Sequence, residues 1–222
     1  MNKDDLSRLL AGLPRCPGII GKERYLNAAV LLPLVEAGGE YHFLFEHRAA
    51  HIRQGGEISF PGGEFDPDAD ESCRSAAIRE TTEELGIGED RITVLGRLDT
   101  LVSPRGVTID SFLAVLDIRS LEELVPNEQE VQRLFKLPVD WFVQNPPQEY
   151  ELRLEIKPYD TDRSGGLVQL LPVAELGLPP GYEQTWQGLS HKIFVYQTPE
   201  AVIWGLTAEL VRYVVLRLGQ TA

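Results

Sequence analysis

The sequence predicts a mixed α+β domain, and three observations lead to that class. Apolar and polar residues alternate in several short segments, which is the period of a half-buried strand. Residues 71–85 instead show a helical period and are followed by Gly86, the residue type that commonly ends a helix. A second helical pattern lies at residues 201–218, so strands and helices are interspersed along the chain.

The strands begin with a hairpin. Residues 27–34 and 41–46 are predicted as two strands joined by a Glu-Ala-Gly-Gly turn. A third strand approaches Phe60 and ends at Pro61-Gly62-Gly63, and an Asp-rich loop follows. Four further strands are predicted at residues 92–98, 107–116, 150–157 and 191–196.

The remaining segments predict two more helices and a long loop. Residues 128–135 favour a short helix that stops before Pro138. Residues 158–190 contain many Gly and Pro without a sustained period, which predicts a surface loop or lid. The final helix has a predicted buried stripe of Val202, Leu206, Leu210, Tyr213 and Val214.

Composition and charge exclude several classes of protein. A chain of 222 residues with 43% hydrophobic residues is long and apolar enough for one large folded domain, not a disordered chain or a small disulfide scaffold. The net charge of −13 argues against a grip on nucleic acid. Since no apolar run reaches the ~20 residues that span a bilayer, no membrane partner is expected either.

The apolar pattern of the N-terminus predicts the domain boundaries, and the cysteine content predicts the compartment. Residues 1–22 are predicted as an N-terminal helix or arm with apolar positions at Leu6, Leu9, Leu10 and Leu13, and residues 23–222 as the main domain. Cys16 and Cys73 are too few for a disulfide framework or a four-ligand zinc site. The predicted compartment is therefore the cytoplasm.

The helix at residues 71–85 carries the most informative side chains. Glu80, Glu83 and Glu84 share one helical face, where like charges repel unless a positive group lies in front of them. Arg79 lies one turn before Glu83, and the upstream Gly62-Gly63 pair lets the backbone approach a phosphate or a metal. Oxygen ligands favour Mg²⁺ or Mn²⁺ over Zn²⁺. For an isolated Glu-x-x-Glu-Glu, a solvated acidic face would be the alternative.

Residues 79–87 resemble the second half of the Nudix box, G-x5-E-x7-R-E-U-x-E-E-x-G-U. Glu71 keeps the box spacing to Arg79, whereas seven residues instead of five separate Gly63 from Glu71. The resemblance implies a Nudix fold, an α/β/α sandwich around a mixed β-sheet with an appended C-terminal strand and helix. It also implies that Glu80, Glu83, Glu84 and Gly63 hold Mg²⁺ or Mn²⁺, that Arg79 fixes the glutamates, and that Glu71 is a candidate additional acid.

An upstream segment, residues 44–63, resembles the motif of the coenzyme A pyrophosphatase branch of Nudix hydrolases, L-L-T-x-R-x-x-x-x-R-x-x-x-G-x-x-x-F-P-G-G. Here Glu46 replaces the Thr, and the gap from Arg53 to Gly56 is one residue short. The motif implies that Arg48, Arg53 and Gly62 bind substrate. Two weaker candidates complete the set, Arg105 for substrate and Glu130 as an additional acid.

The resemblance implies metal-dependent hydrolysis of a diphosphate bond, with coenzyme A or acyl-coenzyme A split into 3′,5′-ADP and the (acyl-)4′-phosphopantetheine. Two alternatives stay open. One is a Nudix hydrolase of a nucleotide sugar, NADH or a dinucleoside polyphosphate, and the other is a Nudix-fold binding module without turnover. The expected partner is a small nucleotide-type molecule, and the sequence does not decide between a monomer and a homodimer.

Overall fold

A computed structural model describes residues 2–14 and 18–219 of the chain. Cys16, one of the two cysteines of the sequence, lies outside the described residues. Cys73 is a free cysteine.

The chain folds into four α-helices, four short 3-10 turns and thirteen strands within the described residues. The α-helices are α1 Lys3–Ala11, α2 Cys73–Leu85, α3 Val139–Gln144 and α4 Gly205–Gly219. The 3-10 turns are Lys22–Arg24, Glu89–Arg91, Leu121–Glu123 and Pro180–Glu183. The strands are β1 Leu26–Ala37, β2 Glu40–Arg48, β3 Ile58–Ser59, β4 Gly62–Glu64, β5 Ile92–Arg97, β6 Leu101–Ser103, β7 Val107–Leu116, β8 Val131–Pro138, β9 Gln148–Ile156, β10 Tyr159–Thr161, β11 Leu167–Gln169, β12 Trp186–Gln197 and β13 Val202–Trp204.

Strand β1 is the centre of a mixed sheet. It pairs antiparallel with β2 and β4 and parallel with β7. The main strand order is β3-β2-β1-β7-β5, with β8 on the edge of β2 and β6 beside β7. A second sheet has the order β13-β12-β9, and β10 pairs with β11.

Helices cover both faces of the mixed sheet. Leu32, Phe43 and Phe45 belong to a buried cluster that includes residues of α3, α4 and the second sheet. Leu31 and Leu44, their neighbours in sequence, belong to a second cluster with α2, because successive side chains of a strand point to opposite faces. The predicted α+β class and three-layer sandwich are therefore confirmed.

The predicted helix at residues 128–135 is wrong. Residues 128–130 form a turn and residues 131–135 belong to β8, whose register with β2 runs from His42 opposite Pro138 to Arg48 opposite Val131. Pairing along the free edge of β2 outweighs the local helical preference. Pro138 ends this strand instead of stopping a helix, and α3 follows it directly.

Two expectations for the C-terminal half are also corrected. Residues 158–190 are not one continuous loop, because they contain the β10–β11 pair, a 3-10 turn and the first residues of β12. The last helix begins at Gly205, since residues 202–204 pair with β12 as β13. Val202 is accordingly exposed, whereas Leu210 and Val214 are buried as predicted.

The N-terminal helix is present but packs loosely. An Asn2–Asp5 capping box fixes its start, and no described residue of α1 is buried. Leu6, Leu9 and Leu10 are each more than two-fifths exposed. Among the described residues, no helix is long and apolar enough to cross a membrane.

Asp110 of β7 ties several elements together from a fully buried position. Its oxygens accept hydrogen bonds from Lys22 Nζ at 2.7 Å, Arg97 Nη2 at 2.5 Å, Thr100 Oγ1 at 2.5 Å and Cys73 Sγ at 3.1 Å. Burial by itself would raise the pKa of Asp110, but these donors outweigh it and hold the pKa well below the usual range. The carboxylate therefore links the start of β1, the strand β5 and helix α2.

Replacing Asp110 by Asn should lower the free energy of unfolding by about 2–3 kcal/mol at pH 7, because an amide loses the charge-assisted bonds of this site. A depressed pKa contributes stability above the unfolded pKa of Asp, and that stability is lost as the pH falls through the folded value. The difference between wild type and variant should therefore shrink in acid. Urea denaturation at pH 7 and at an acidic pH measures the difference in the free energy of unfolding, with the exposed Asp117→Asn as the control. Equal stability of wild type and Asp110→Asn at pH 7 would contradict this role.

Candidate active site

Helix α2 holds its acidic residues in place because both of its ends are capped. Ser72 is extended, its Oγ accepts the backbone N–H of Ser75, and the Ser75 hydroxyl accepts the backbone N–H of Ser72. Gly86 ends the helix with φ of 63°, and its N–H donates to the Thr82 carbonyl. A Cβ at Gly86 would lie 2.2 Å from the carbonyl oxygen of Val125, so both backbone conformation and space require glycine.

The three glutamates of α2 lie in three different environments. Glu83 is exposed, Glu80 is half-buried, and Glu84 is buried. Glu84 Oε2 accepts the backbone N–H of Gly62 at 2.8 Å. Burial, and next the charge of Glu46, raise the pKa of Glu84. Burial also raises the pKa of Glu80, although the guanidinium of Arg79 opposes this effect.

Strand β4 approaches α2 closely because it begins with two glycines. Gly62 and Gly63 pair with Val30 and Ala29 of β1, so they continue the sheet, whereas the sequence predicts that they end a strand. A Cβ on Gly63 would lie 2.4 Å from the Glu80 carboxyl carbon, and one on Gly62 would lie 2.4 Å from the carbonyl oxygen of Ala29. The absence of side chains therefore lets the carboxylates of α2 reach this backbone.

Arg79 contacts three carboxylates at the acidic helix. Its Nε and Nη2 donate to Asp70 Oδ1 and Oδ2 at 2.9 and 3.0 Å, a bidentate pair. Its Nη1 donates to Glu80 at 2.9 Å and to Glu83 at 3.4 Å. The bond to Asp70 is the main cause that raises the pKa of Arg79. The guanidinium is thereby fixed on one side and offered to the glutamates on the other.

The partner of Arg79 is Asp70, the residue before the candidate acid Glu71. Asp70 is buried and Glu71 is exposed, and the structure does not bring Glu71 to the acidic cluster. Seven residues instead of the motif's five separate Gly63 from Glu71. Sequence reasoning missed Asp70, although it lies in the Asp-rich loop that precedes the helix.

Glu130 lies in the turn before β8 and not on a helix. Its carbonyl accepts the backbone N–H of Ala49 at 2.8 Å, which joins this turn to the end of β2. The charge of Glu130 is close enough to contribute to the raised pKa values of Glu46 and Glu80, after the larger effect of burial. The turn therefore adds another carboxylate to the neighbourhood of α2.

Glu46 of β2 is a member of the site that sequence reasoning missed. Its side chain is fully buried, and its Oε1 accepts hydrogen bonds from Ser59 Oγ at 2.8 Å and Arg48 Nη1 at 3.4 Å. The same Nη1 lies 3.8 Å from Glu84 Oε1. Burial raises the pKa of Glu46, while Ser59 and Arg48 oppose the rise. The alternation of β2 is a usable signal, because it puts residue 46 on the face of buried Leu44.

A cavity of about 300 Å³ lies on the other side of the glycine strand. Gly62, Gly63 and the predicted substrate residues Arg48, Arg53 and Arg105 line it. Arg53 and Arg105 are exposed, and Arg48 is largely buried. The lining also includes apolar and polar residues that the sequence did not single out for binding, among them Val107, Ile109, His191, Lys192, Leu206 and Leu210.

The glycine strand is thus a seam between two regions. Glu84 binds the backbone of Gly62 and Glu80 packs against Gly63, while the outer surface of the same two residues faces the cavity. Within residues 2–14 and 18–219, no three His, Cys, Asp or Glu side chains converge tightly enough to form a ready metal site. The carboxylates are neighbours that share backbone and guanidinium partners.

The fold and the site together define a class of protein in which an acidic helix, held by an arginine, faces a Gly-Gly strand at the edge of a cavity. The family model described as NUDIX domain matches residues 25–158, more than half of the chain, so the chain belongs to the Nudix family. The predicted family and fold are confirmed.

The similar proteins include named hydrolases. The human protein named mitochondrial coenzyme A diphosphatase NUDT8 is 36% identical over 131 residues, which cover 58% of this chain and 55% of that protein. The chain thus spans about half the length of that relative. A protein named uncharacterized Nudix hydrolase NudL from Yersinia pestis is 27% identical over 214 residues, 94% of this chain and 90% of its own.

A solved structure of a C. elegans Ap4A hydrolase binary complex is 25% identical, with a TM-score of 0.43 over 53% of this chain and 83% of that chain. The relatives named as Nudix hydrolases support the predicted enzyme class. The human relative is named mitochondrial, so a cytoplasmic location for this chain stays a prediction.

Asp70→Asn should lower the free energy of unfolding by about 1.5–3 kcal/mol, because it breaks a bidentate charge-assisted pair with Arg79. Glu71→Gln, the adjacent exposed carboxylate, is the matched control and should change it by no more than about 0.5 kcal/mol. Urea denaturation at pH 7 measures both. The hydrogen bonds from Arg79 lower the pKa of Asp70, so the effect should fade as the pH drops through the folded pKa. A larger loss in Glu71→Gln would show that the assignment of Asp70 is mistaken.

Proposed function

We propose that the chain is a divalent-cation-dependent pyrophosphohydrolase and that its substrate is coenzyme A or an acyl-coenzyme A. The observation that carries the proposal is the position of the Gly62-Gly63 strand. It has buried carboxylates of α2 on one side and an arginine-lined cavity on the other. A phosphate group at this seam would lie close to both.

The chemistry of the acidic cluster suits Mg²⁺ or Mn²⁺, because its donors are carboxylate oxygens, although among the described residues these side chains do not yet converge into a ready site. Burial has raised the pKa values of Glu80 and Glu84, which a divalent cation would reverse by supplying positive charge. We assign Glu80, Glu83 and Glu84 to the cation, with the carbonyl of Gly63 as a backbone ligand. When bound, such a cation neutralises a diphosphate and lowers the pKa of the attacking water.

The chain's own residues would prepare this chemistry. Arg79, held by its bidentate bonds to Asp70, orients the carboxylates of Glu80 and Glu83 through its Nη1. Gly62 holds Glu84 by its backbone N–H. The nearby Glu130 is a further acid that we place at the edge of the cluster.

The substrate side of the proposal uses the cavity. Arg48 lines the cavity next to the glycine strand, and guanidinium groups match phosphate oxygens in a bidentate manner. Arg53 and Arg105 are exposed at the cavity, where they offer local positive charge in a protein with a net charge of −13. The remaining wall contains apolar residues such as Val107 and Leu206 and also three glutamates, Glu57, Glu64 and Glu209.

Two findings favour coenzyme A over other nucleotides. The motif at residues 44–63 resembles that of coenzyme A pyrophosphatases, and its arginines lie at the cavity. The human relative, 36% identical, carries the name coenzyme A diphosphatase. The products would be 3′,5′-ADP and 4′-phosphopantetheine, or its acyl derivative.

Glu83→Gln and Glu84→Gln should each lower kcat by at least ~10²-fold, because each removes one negative charge from the cation site at nearly constant volume. Steady-state hydrolysis of coenzyme A with Mg²⁺ or Mn²⁺ measures the effect, after circular dichroism shows that the variants fold. Glu122→Gln, on an exposed 3-10 turn, is the control. EDTA should abolish the activity and excess Mn²⁺ should restore it. Turnover that resists EDTA, or two nearly normal variants, would refute the assignment of the acidic helix.

Arg53→Ala should lower kcat/KM for coenzyme A by ~10–100-fold and for dephospho-coenzyme A by less, if Arg53 contacts the 3′-phosphate. Arg48 lies closer to the carboxylates, so Arg48→Ala should reduce kcat/KM for both substrates alike. The exposed Arg119→Ala, outside the cavity lining, is the control.

The same assay separates coenzyme A from the alternative substrates. Product identification by mass spectrometry should show 3′,5′-ADP from wild type. Indifference of the wild type to the 3′-phosphate, together with faster cleavage of NADH, a nucleotide sugar or a dinucleoside polyphosphate, would reject coenzyme A and leave the Nudix assignment standing.

A further inference from the structure

Glu46 has one carboxylate oxygen that nothing in its surroundings satisfies. The side chain is fully buried, and among the described residues Oε2 has no hydrogen-bond partner. An ionised carboxylate without a full set of partners is unfavourable in a protein interior, so such groups are normally paired or bound to a cation. The partners of Oε1, Ser59 and Arg48, leave this requirement unmet.

The position of Glu46 relates it to helix α2. Residue 46 lies on the same face of β2 as Leu44, which belongs to the buried cluster that includes α2. One atom, Arg48 Nη1, lies 3.4 Å from Glu46 Oε1 and 3.8 Å from Glu84 Oε1. The carboxylates of β2 and α2 therefore meet around a single guanidinium.

The single positive charge of Arg48 cannot balance the negative charges of both Glu46 and Glu84. Arg48 serves Glu46 and Glu84 together, and both distances are longer than the ~2.7–2.9 Å of a strong charge-assisted bond. The second guanidinium of the region, Arg79, is already shared among Asp70, Glu80 and Glu83. These two guanidinium groups face five carboxylates, those of Glu46, Asp70, Glu80, Glu83 and Glu84. If all five are ionised, three negative charges lack a counter-ion.

We propose that Glu46 is a further carboxylate of the divalent-cation site, contributed by strand β2 and lying outside the acidic helix. This inference rests on the proposed function. The unpaired oxygen supplies what a cation requires, and its neighbour Glu84 is a ligand in that proposal. The branch motif has Thr at this position, and a Thr side chain offers no carboxylate. The extra ligand therefore depends on this chain having Glu at position 46.

The test measures cation binding directly on the full-length protein. Calorimetric titration with Mn²⁺ should show that Glu46→Gln and Glu46→Thr each weaken binding by ~10-fold or more, with no such change in Glu122→Gln. Thermal unfolding without metal is the second readout. Because each variant removes a charge that repels Glu84, its metal-free Tm should equal or exceed that of wild type, while the rise in Tm with Mn²⁺ should be smaller.

The outcomes separate this inference from the proposed function. Weaker Mn²⁺ binding in both Glu46 variants, at an undiminished metal-free Tm, supports the inference. Normal Mn²⁺ affinity of the Glu46 variants beside weakened binding in Glu84→Gln would overturn the role of Glu46 alone. Normal Mn²⁺ affinity with a raised KM would also overturn it, since Glu46 would then act only through Arg48. No Mn²⁺ binding by wild type would remove the proposed function as well.

Discussion

Repulsion among buried carboxylates beside the Gly62-Gly63 strand is the constraint on which the site depends. Glu46 and Glu84 approach each other from a strand and a helix, and neither has a full complement of positive partners. Burial raises the pKa values of both groups, and rigid surroundings hold them in this arrangement. The capped ends of α2, the pairing of β2 with β8 and the bidentate Asp70–Arg79 contact provide that rigidity.

The Gly62-Gly63 strand lies between these carboxylates and the cavity. Its backbone is the thinnest wall that a chain can make, because it carries no side chain on either face. Its N–H groups and carbonyls stay in register with β1, and the carboxylates lie behind it at contact distance. On the cavity side, Arg48, Arg53 and Arg105 lie beside Glu57, Glu64 and Glu209, within a protein that is acidic as a whole.

The sequence predicts the parts of the fold whose signals are local. The hairpin of β1 and β2 and the helix α2 follow from alternation, helical period and the Gly86 stop. β8 is mispredicted because its partner along β2 is about ninety residues away in sequence, and short polar segments fit either element. β13 is missed for a different reason, because it forms one apolar run with the helix that follows and only Gly205 separates the two elements.

The site shows a similar division. The motif identifies Arg79 and the three glutamates and makes Glu71 a candidate additional acid, but it does not point to Asp70, the buried partner of Arg79. Glu46 enters the motif as a departure from Thr, and only packing reveals that its carboxylate is buried next to Arg48 and Ser59. A one-dimensional pattern records identity and spacing, whereas burial and charge balance depend on which strands become neighbours.

The hydrogen bonds around Asp110 separate a firmly held part of the chain from the loosely packed helix α1. Lys22 joins the carboxylate near the start of β1, and no described residue of α1 is buried. Amide protons of α1 should therefore exchange with solvent through fraying that costs little free energy. Those around Asp110 in β7 should exchange only when the whole sandwich opens. The ladder between β1 and β7 should then exchange slowly, and exchange in the N-terminal helix should report fraying of that helix and not global stability.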